Sequence, residues 1–362
     1  MKNNRNIFKI LTVVLCSTSL LACVTNSPVS QVGVYDPDFA LQIERGRNIV
    51  APVIRRGSGV SVAVGVNGQL VWSEGFGFTS LKQSTAISAD DPLRLYSLMK
   101  QVTSVLALQS VLRGEIAFDT TARELLPDLP AAFESVTLQQ LLTHTSGVRH
   151  YHHPAEANFF THCESASPAI DRFVHDPLVH EAGTSQTYST YGFVLASAML
   201  EQATELSFPE LMQQRIAEPA GMTSLQLEDR NAPAGAVQFY DVDNDGNIAT
   251  ALPVDNSCKM GGGGFLSSAA DVVKFHNAVM NGTLAPLPAI RQLLGGRSAL
   301  EAAGSGAGGE AMSIADLDSR VSVVVLSNTS GLEQRIALER VRGLLQAVFE
   351  EQVSNNDIAR LQ

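Results

Sequence analysis

The sequence predicts an α+β fold of the α/β/α sandwich type. An antiparallel sheet built from both ends of the chain is covered by the terminal helices, and a mainly helical lobe is inserted between them. Three observations predict it. Alternating apolar runs with tight polar turns stand near both ends, in "GVSVAVGVNGQLVWSEGFGF" and "AMSIADLDSRVSVVVLSN". Between them, from residue 97 to about 230, apolar residues recur at helical spacing. Strands and helices do not alternate one for one, as a parallel doubly wound sheet would require. At 362 residues, 45% of them hydrophobic, the chain is long enough to bury a full core.

The elements follow in order. "MKNNRNIFKILTVVLCSTSLLAC" places Lys2, Arg5 and Lys9 around the start of an apolar stretch too short to span a bilayer. It reads as a signal peptide over 1–22. Its Leu20-Leu21-Ala22-Cys23 ending resembles a bacterial lipobox, with lipid on Cys23 and 23–35 as a tether. The expectation is a periplasm-facing lipoprotein of the bacterial cell envelope, anchored to its membrane through Cys23. Asp36 then caps an amphipathic helix with Pro37 at its first position. Asn67-Gly68 joins the two runs that follow into a hairpin. Helical periodicity marks 97–113, 137–144, 191–204 and 208–218.

A second hairpin turns at Asn244-Asp245-Gly246. A glycine-rich turn at 261–264 leads into a helix capped by Ser268, with Asp271 three residues on. Two strands and a helix over 332–352 close the domain, leaving 353–362 as a tail. The folded domain is thus 36–352, with a sheet lobe at about 36–95 and 305–352 and a helical lobe at about 96–300.

A formal charge of −11, falling to −14 without the three cations of 1–22, excludes a nucleic-acid binder, which needs a basic stripe. Metal and phosphate signals also fail. His144, His150, His152, His153, His162 and Cys163 crowd one region, but Gly147 and Pro154 break it and no H-E-x-x-H occurs. "DVDNDGNIATAL" begins like a calcium loop but ends on Leu252 instead of glutamate. "MGGGG" lacks the following G-K-[ST]. No metal and no cofactor is expected. Cys163 and Cys258, left after Cys16 and Cys23, are candidates for a disulfide that spacing alone does not decide.

The chemistry centres on "YSLMK". Ser97 and Lys100, at i and i+3, project from one face of a helix's first turn. A serine hydroxyl attacks only when a base takes its proton, and a lysine is a base only when its ammonium is desolvated or crowded. The bland reading makes Ser97 a helix cap and Lys100 a snorkelling side chain. About ninety residues on, Tyr188-Ser189-Thr190 stand just before an apolar helix. There the phenol could relay protons, or simply be a half-buried core tyrosine.

Together with "LLPDLPAAFESVTLQQLLTHTSGVRHY", "DNSCKMGGGGFLSSAADVVKFHNAVMNG" and "VVVLSN", these motifs resemble the serine β-lactamase-like superfamily. That superfamily holds class C β-lactamases, D-alanyl-D-alanine carboxypeptidases and related esterases and peptidases. The forms "HTSGVRHY", "YSTYG" and "VDNSCKMGGGGFLS" are similar to the mitochondrial β-lactamase-like serine protease branch. The resemblance runs in family order from about residue 40 to 350. It implies a β-lactamase/penicillin-binding-protein-like sheet, a Ser97 nucleophile, Lys100 as its base and Tyr188 as second proton carrier. It also implies a covalent acyl-enzyme, with backbone N–H groups of Ser97 and Gly306 for the oxyanion and Thr190 lining the site.

One departure stands out. The family's third motif, Lys-Thr-Gly or His-x-Gly, falls on Ala303-Gly304-Ser305, without its basic residue and after a shortened segment. Two readings follow. One is a serine hydrolase of amides or esters, with small-molecule or peptide substrates, D-amino-acid peptides among them, and β-lactams less favoured. The other is a catalytically impaired homologue that binds peptide or peptidoglycan-like ligands in the same cleft.

Overall fold

The computed structural model describes residues 29–54, 58–231, 237–243 and 245–361, with side chains described up to 354. The expected signal peptide, Cys23 and Asn244 lie outside the described residues. The main sheet has six antiparallel strands: β1 (Ser30–Tyr35), β2 (Val60–Val66), β3 (Gln69–Phe76), β4 (Ala299–Gly306), β5 (Gly309–Asp316) and β6 (Val321–Ser327). Their order across the sheet is β1-β3-β2-β6-β5-β4, so both chain ends supply it and β4 is an edge. Asn67 and Gly68 both take positive φ, 53° and 79°, as a two-residue hairpin between right-twisted strands requires.

The principal helices are α1 (Ala40–Val50), α2 (Met99–Leu112), α3 (Thr190–Thr204), α4 (Ala269–Met280) and α5 (Leu332–Leu361). The terminal pair, α1 and α5, covers the outer face, where Val62, Val64, Val323 and Val325 meet Ile43, Leu345 and Phe349. Trp72 stacks on Phe349 there, ring centroids 6.3 Å apart. Ala63, Val324 and Leu326 face the other way, into the core shared with α2, α3 and α4. The central strands β2 and β6 are therefore buried on both faces, which is why "VSVVVLS" reads as a nearly continuous apolar run. Gly65 lets α4 lie close, since a β-carbon there would stand 2.8 Å from Val273.

Four boundaries differ from expectation. Residues 30–35, expected in the tether, form edge strand β1. Its "SQVGVY" is short and exposed even at Val32 and Tyr35, and a register shift between Val32 and Val34 breaks the pairing, so no buried face marks it as a strand. The sheet lobe resumes at Ala299, not 305, because pairing with β5 overrides the weak strand preference of "EAAGSG". The helix over 137–144 stops at Leu142, ahead of His144 at φ 62°. The tail continues α5 to Leu361, as no glycine or proline stops it.

The other elements stand as expected. Asp36 accepts from the Asp38 N–H at 3.0 Å, and Ser268 from the Asp271 N–H at 3.1 Å. The Asp271 carboxylate turns away, to Thr223, Ser224 and Lys274. The second hairpin pairs Tyr240–Val242 with Ile248–Thr250. Cys163 and Cys258 are joined by a disulfide, tying the loop before α3 to the glycine-rich turn.

Candidate active site

Ser97 sits in a single 3-10 turn, Tyr96–Leu98, that opens α2 and packs against Gly304 of β4. The residue before it is strained. Tyr96 holds φ at 47°, rare for an aromatic residue and kept only where surroundings impose it. Those surroundings are visible. Tyr96 Oη donates to the Ala307 carbonyl at 2.5 Å, and Arg94 Nη1 donates to the same oxygen at 2.6 Å. Arg94 is itself buried against Glu228, 2.6 Å away. The tip of the β4–β5 hairpin is thereby fastened to the serine turn. Sequence reasoning missed Tyr96 and Arg94, since a positive φ leaves no mark in "LRLYS".

Ser97, Lys100, Tyr188 and Thr190 converge. Lys100 Nζ lies 3.0 Å from Ser97 Oγ, 3.2 Å from Thr190 Oγ1 and 2.7 Å from the Gly262 carbonyl oxygen. The lysine is buried, and desolvation pulls its pKa down from 10.5 to about 7. As a neutral amine it donates to Gly262 O and Thr190 Oγ1, leaving its lone pair toward the serine hydroxyl. The bland alternative, a lysine snorkelling to solvent, is excluded by these contacts.

Tyr188 Oη donates to Ser97 Oγ at 2.6 Å from the other side. Burial of its hydroxyl end raises the phenol's pKa, so at neutral pH it keeps its proton. The glycine run has a matching purpose. A β-carbon on Gly262 would come within 2.8 Å of Thr190 Cγ2, so only glycine brings that carbonyl to Lys100.

Strand β4 supplies the opposite wall. The two-residue loop Ala307–Gly308 makes Gly306 and Gly309 the closing, mutually hydrogen-bonded pair of the hairpin. Alternation then turns the N–H groups of Gly304 and Gly306 toward β5 and those of Ala303 and Ser305 toward the free edge. Gly306, expected to donate to an oxyanion, is thus a correction. Its N–H is spent in the ladder and it packs on the Tyr96 ring, while the Ser305 N–H is the free one. Ala303 confirms that no basic side chain occupies the expected place on this strand.

Beside Ser97 opens a cavity of about 460 Å³ with a mixed lining: Leu142, Phe193 and Leu293 on the apolar side, Gln101, Gln186 and Arg297 on the polar side. A larger one, about 810 Å³, lies beyond Arg94 and holds none of Ser97, Lys100 or Tyr188. Of the histidines, His144 and His150 flank Tyr188, whereas His152 and His153 are exposed. His162 lies apart, its Nδ1 3.1 Å from Asp255 Oδ2, and Asp229 stands close to both. The other oxygen of Asp255 accepts from the Ser257 N–H and hydroxyl.

Comparison with known proteins identifies the family and the fold. The Beta-lactamase family model matches residues 47–347. The human mitochondrial serine beta-lactamase-like protein LACTB is 25% identical over 314 residues, 67% of this chain and 57% of that protein. The chain therefore spans under two thirds of that relative's length. A D-aminopeptidase of Cereibacter sphaeroides is 30% identical over 236 residues, 62% of this chain and 44% of that protein. Among solved structures, D-amino acid amidase from Ochrobactrum anthropi superposes with a TM-score of 0.71 at 17% identity, covering 87% of this chain and 99% of that one. With its antiparallel sheet, inserted helical lobe and a family match over most of its length, the chain belongs to the beta-lactamase family of serine hydrolases.

Proposed function

We propose that the chain hydrolyses an amide or ester carbonyl through a covalent acyl-enzyme. The observation that carries this reading is the Ser97 hydroxyl held between the Lys100 amine and the Tyr188 phenol. Lys100 takes the Ser97 proton as Oγ bonds to the carbonyl carbon. The oxyanion rests on the Ser97 and Ser305 N–H groups. Tyr188 passes a proton to the leaving atom and is reprotonated through Lys100. Water then repeats the sequence in reverse order to release the acid and restore Ser97.

The mixed cavity walls suit a compact substrate that offers both apolar and hydrogen-bonding surface near the carbonyl. The names D-aminopeptidase and D-amino acid amidase among relatives support peptides and amides of D-amino acids. β-Lactams carry a carboxylate, and the missing cation at Ala303 weakens its capture. Cys23 would place this activity at the cell envelope, on a lipid anchor.

The test is covalent. The purified protein is incubated with a fluorophosphonate and, separately, with a labelled penicillin, then mapped by mass spectrometry. An adduct on Ser97, absent in Ser97→Ala, is expected with the fluorophosphonate. No adduct with either reagent, in folded protein, would overturn the reading in favour of a ligand-binding homologue.

A further inference from the structure

Tyr188 acts only if its hydroxyl is held over Ser97, yet it stands on a loop, 44% exposed, just before α3. Ser189 Oγ ties the segment to the Arg149 carbonyl at 2.7 Å, and two histidines hold the backbone on the C-terminal side of the tyrosine. The first backbone N–H groups of a helix have no partner within the helix. Here the Ser189 N–H donates to His144 Nδ1 at 3.1 Å, and the Thr190 N–H donates to His150 Nδ1 at 3.2 Å. The two rings also bracket the tyrosine, His144 tilted at 4.6 Å and His150 edge-on at 5.2 Å.

An Nδ1 that accepts must carry no proton, so each ring is the neutral tautomer with its hydrogen on Nε2. Burial, reinforced by Lys100, lowers both pKa values to about 4, which keeps them in that form at neutral pH. The anchoring loop is itself held. The His144 carbonyl accepts from the Thr187 N–H at 2.8 Å, with His144 at φ 62°. Within "HTSGVRHY" the two rings are six residues apart, and Gly147, at φ 77°, turns the chain between them. Two of the histidines crowded into "HTSGVRHYHH" thus serve as paired acceptors of backbone N–H groups.

We propose that His144 and His150 are positioning residues that set Tyr188 over Ser97, each lending a neutral ring nitrogen to the backbone beside the tyrosine. This rests on the hydrolase reading for its kinetic consequence but not for its geometry. The variants His144→Leu and His150→Leu remove the acceptor. His144→Asn and His150→Asn place an amide oxygen where Nδ1 stood.

With an ester turned over by the wild type, the leucine variants are expected to lose about 10- to 100-fold in kcat with KM nearly unchanged. The asparagine variants should recover most of it. In a Tyr188→Phe background the leucine changes should cost little more, because their effect runs through the phenol. A long-range proton–nitrogen NMR spectrum at neutral pH should show both rings protonated on Nε2 only.

The proposal is overturned if folded leucine variants keep wild-type kcat, if asparagine fails as badly as leucine, if the losses add to that of Tyr188→Phe, or if either ring is protonated on Nδ1. Should the wild type neither label nor turn over, the hydrolase reading falls and the spectra decide the positioning alone. Tyr188 ring resonances displaced by leucine and restored by asparagine support it, and unmoved resonances overturn it.

Discussion

Gly304 presses on the serine turn so closely that a β-carbon there would lie 2.9 Å from the Ser97 nitrogen and collide with the Leu95 carbonyl oxygen. Backbone is what it meets, and backbone cannot swing aside as a flexible side chain can. Gly304→Ala must therefore push β4 away from Ser97 and carry the Ser305 N–H with it. The expected result is a loss of about 100-fold in Ser97 labelling, the scale set by removing one oxyanion donor. The thermal midpoint should fall far less than that loss implies, since β4 is an edge strand. Labelling at the wild-type rate would show that the strand does not border the reacting carbonyl.

Lys100 combines function with a stability cost. Its folded pKa of about 7 lies below the 10.5 of an exposed lysine, so the unfolded chain binds the extra proton. Stability therefore rises with pH between about 7 and 10.5 and is lowest below 7. Lys100→Met should be inactive yet more stable than wild type, by roughly 3–5 kcal/mol near pH 6, with the gap closing toward pH 10. Denaturant unfolding of both proteins at three pH values measures it. Ser97 acylation in the wild type should rise through pH 7 and level off above it. A lysine that is charged while it works would show no such rise.

The central sheet and the Ser97–Lys100 pair were legible for a physical reason: both are written in local spacing, whereas the role of Tyr188 came only from the family resemblance. Asn67-Gly68 announces its turn, and Ser97 and Lys100 stand three apart on one helical face. What stayed hidden depends on pairing across the chain. The strand of Ala299–Gly306 has almost no strand character of its own, so its start and its free N–H groups were fixed only by register with Gly309–Asp316. This is why Gly306 was expected where Ser305 stands. Tyr96 was hidden likewise, because its strained φ is imposed by Ala307, 211 residues away. His144 and His150 were visible as a cluster, but loop geometry alone separates paired acceptors from metal ligands.

Glu310 is the carboxyl behind Ser305. Its Oε1 accepts from Ser305 Oγ at 2.8 Å, while Oε2 is buried with no hydrogen-bond partner. Burial raises its pKa from 4.5 to about 7, so the folded state binds the extra proton. Its contribution to stability is fully present below 4.5 and is lost as pH rises through about 7. Glu310→Gln keeps the shape and removes the charge. It should match wild type at pH 4.5 and exceed it by roughly 2–4 kcal/mol at pH 8, measured by denaturant unfolding. A variant less stable at pH 8 would show that an ionised Glu310 is well solvated or paired.

His276 tests the opposite sign in the core. It lies on α4 with 0% exposure, and neither ring nitrogen has a hydrogen-bond partner. Desolvation drops its pKa from 6.5 to about 3, so the unfolded chain takes up the proton first as pH falls. Its contribution is present above 6.5 and is lost progressively down to about 3, at roughly 1.4 kcal/mol per pH unit. His144 and His150 act in the same sense over part of that window, so the wild-type curve alone does not isolate it. The difference between wild type and His276→Leu does. Leucine also ends the burial of two unsatisfied nitrogens, so the variant should hold its ground at pH 7 and gain steadily on wild type from pH 6 to 4. A constant difference across that range would mean that His276 charges in place, with water reaching α4 from the sheet side.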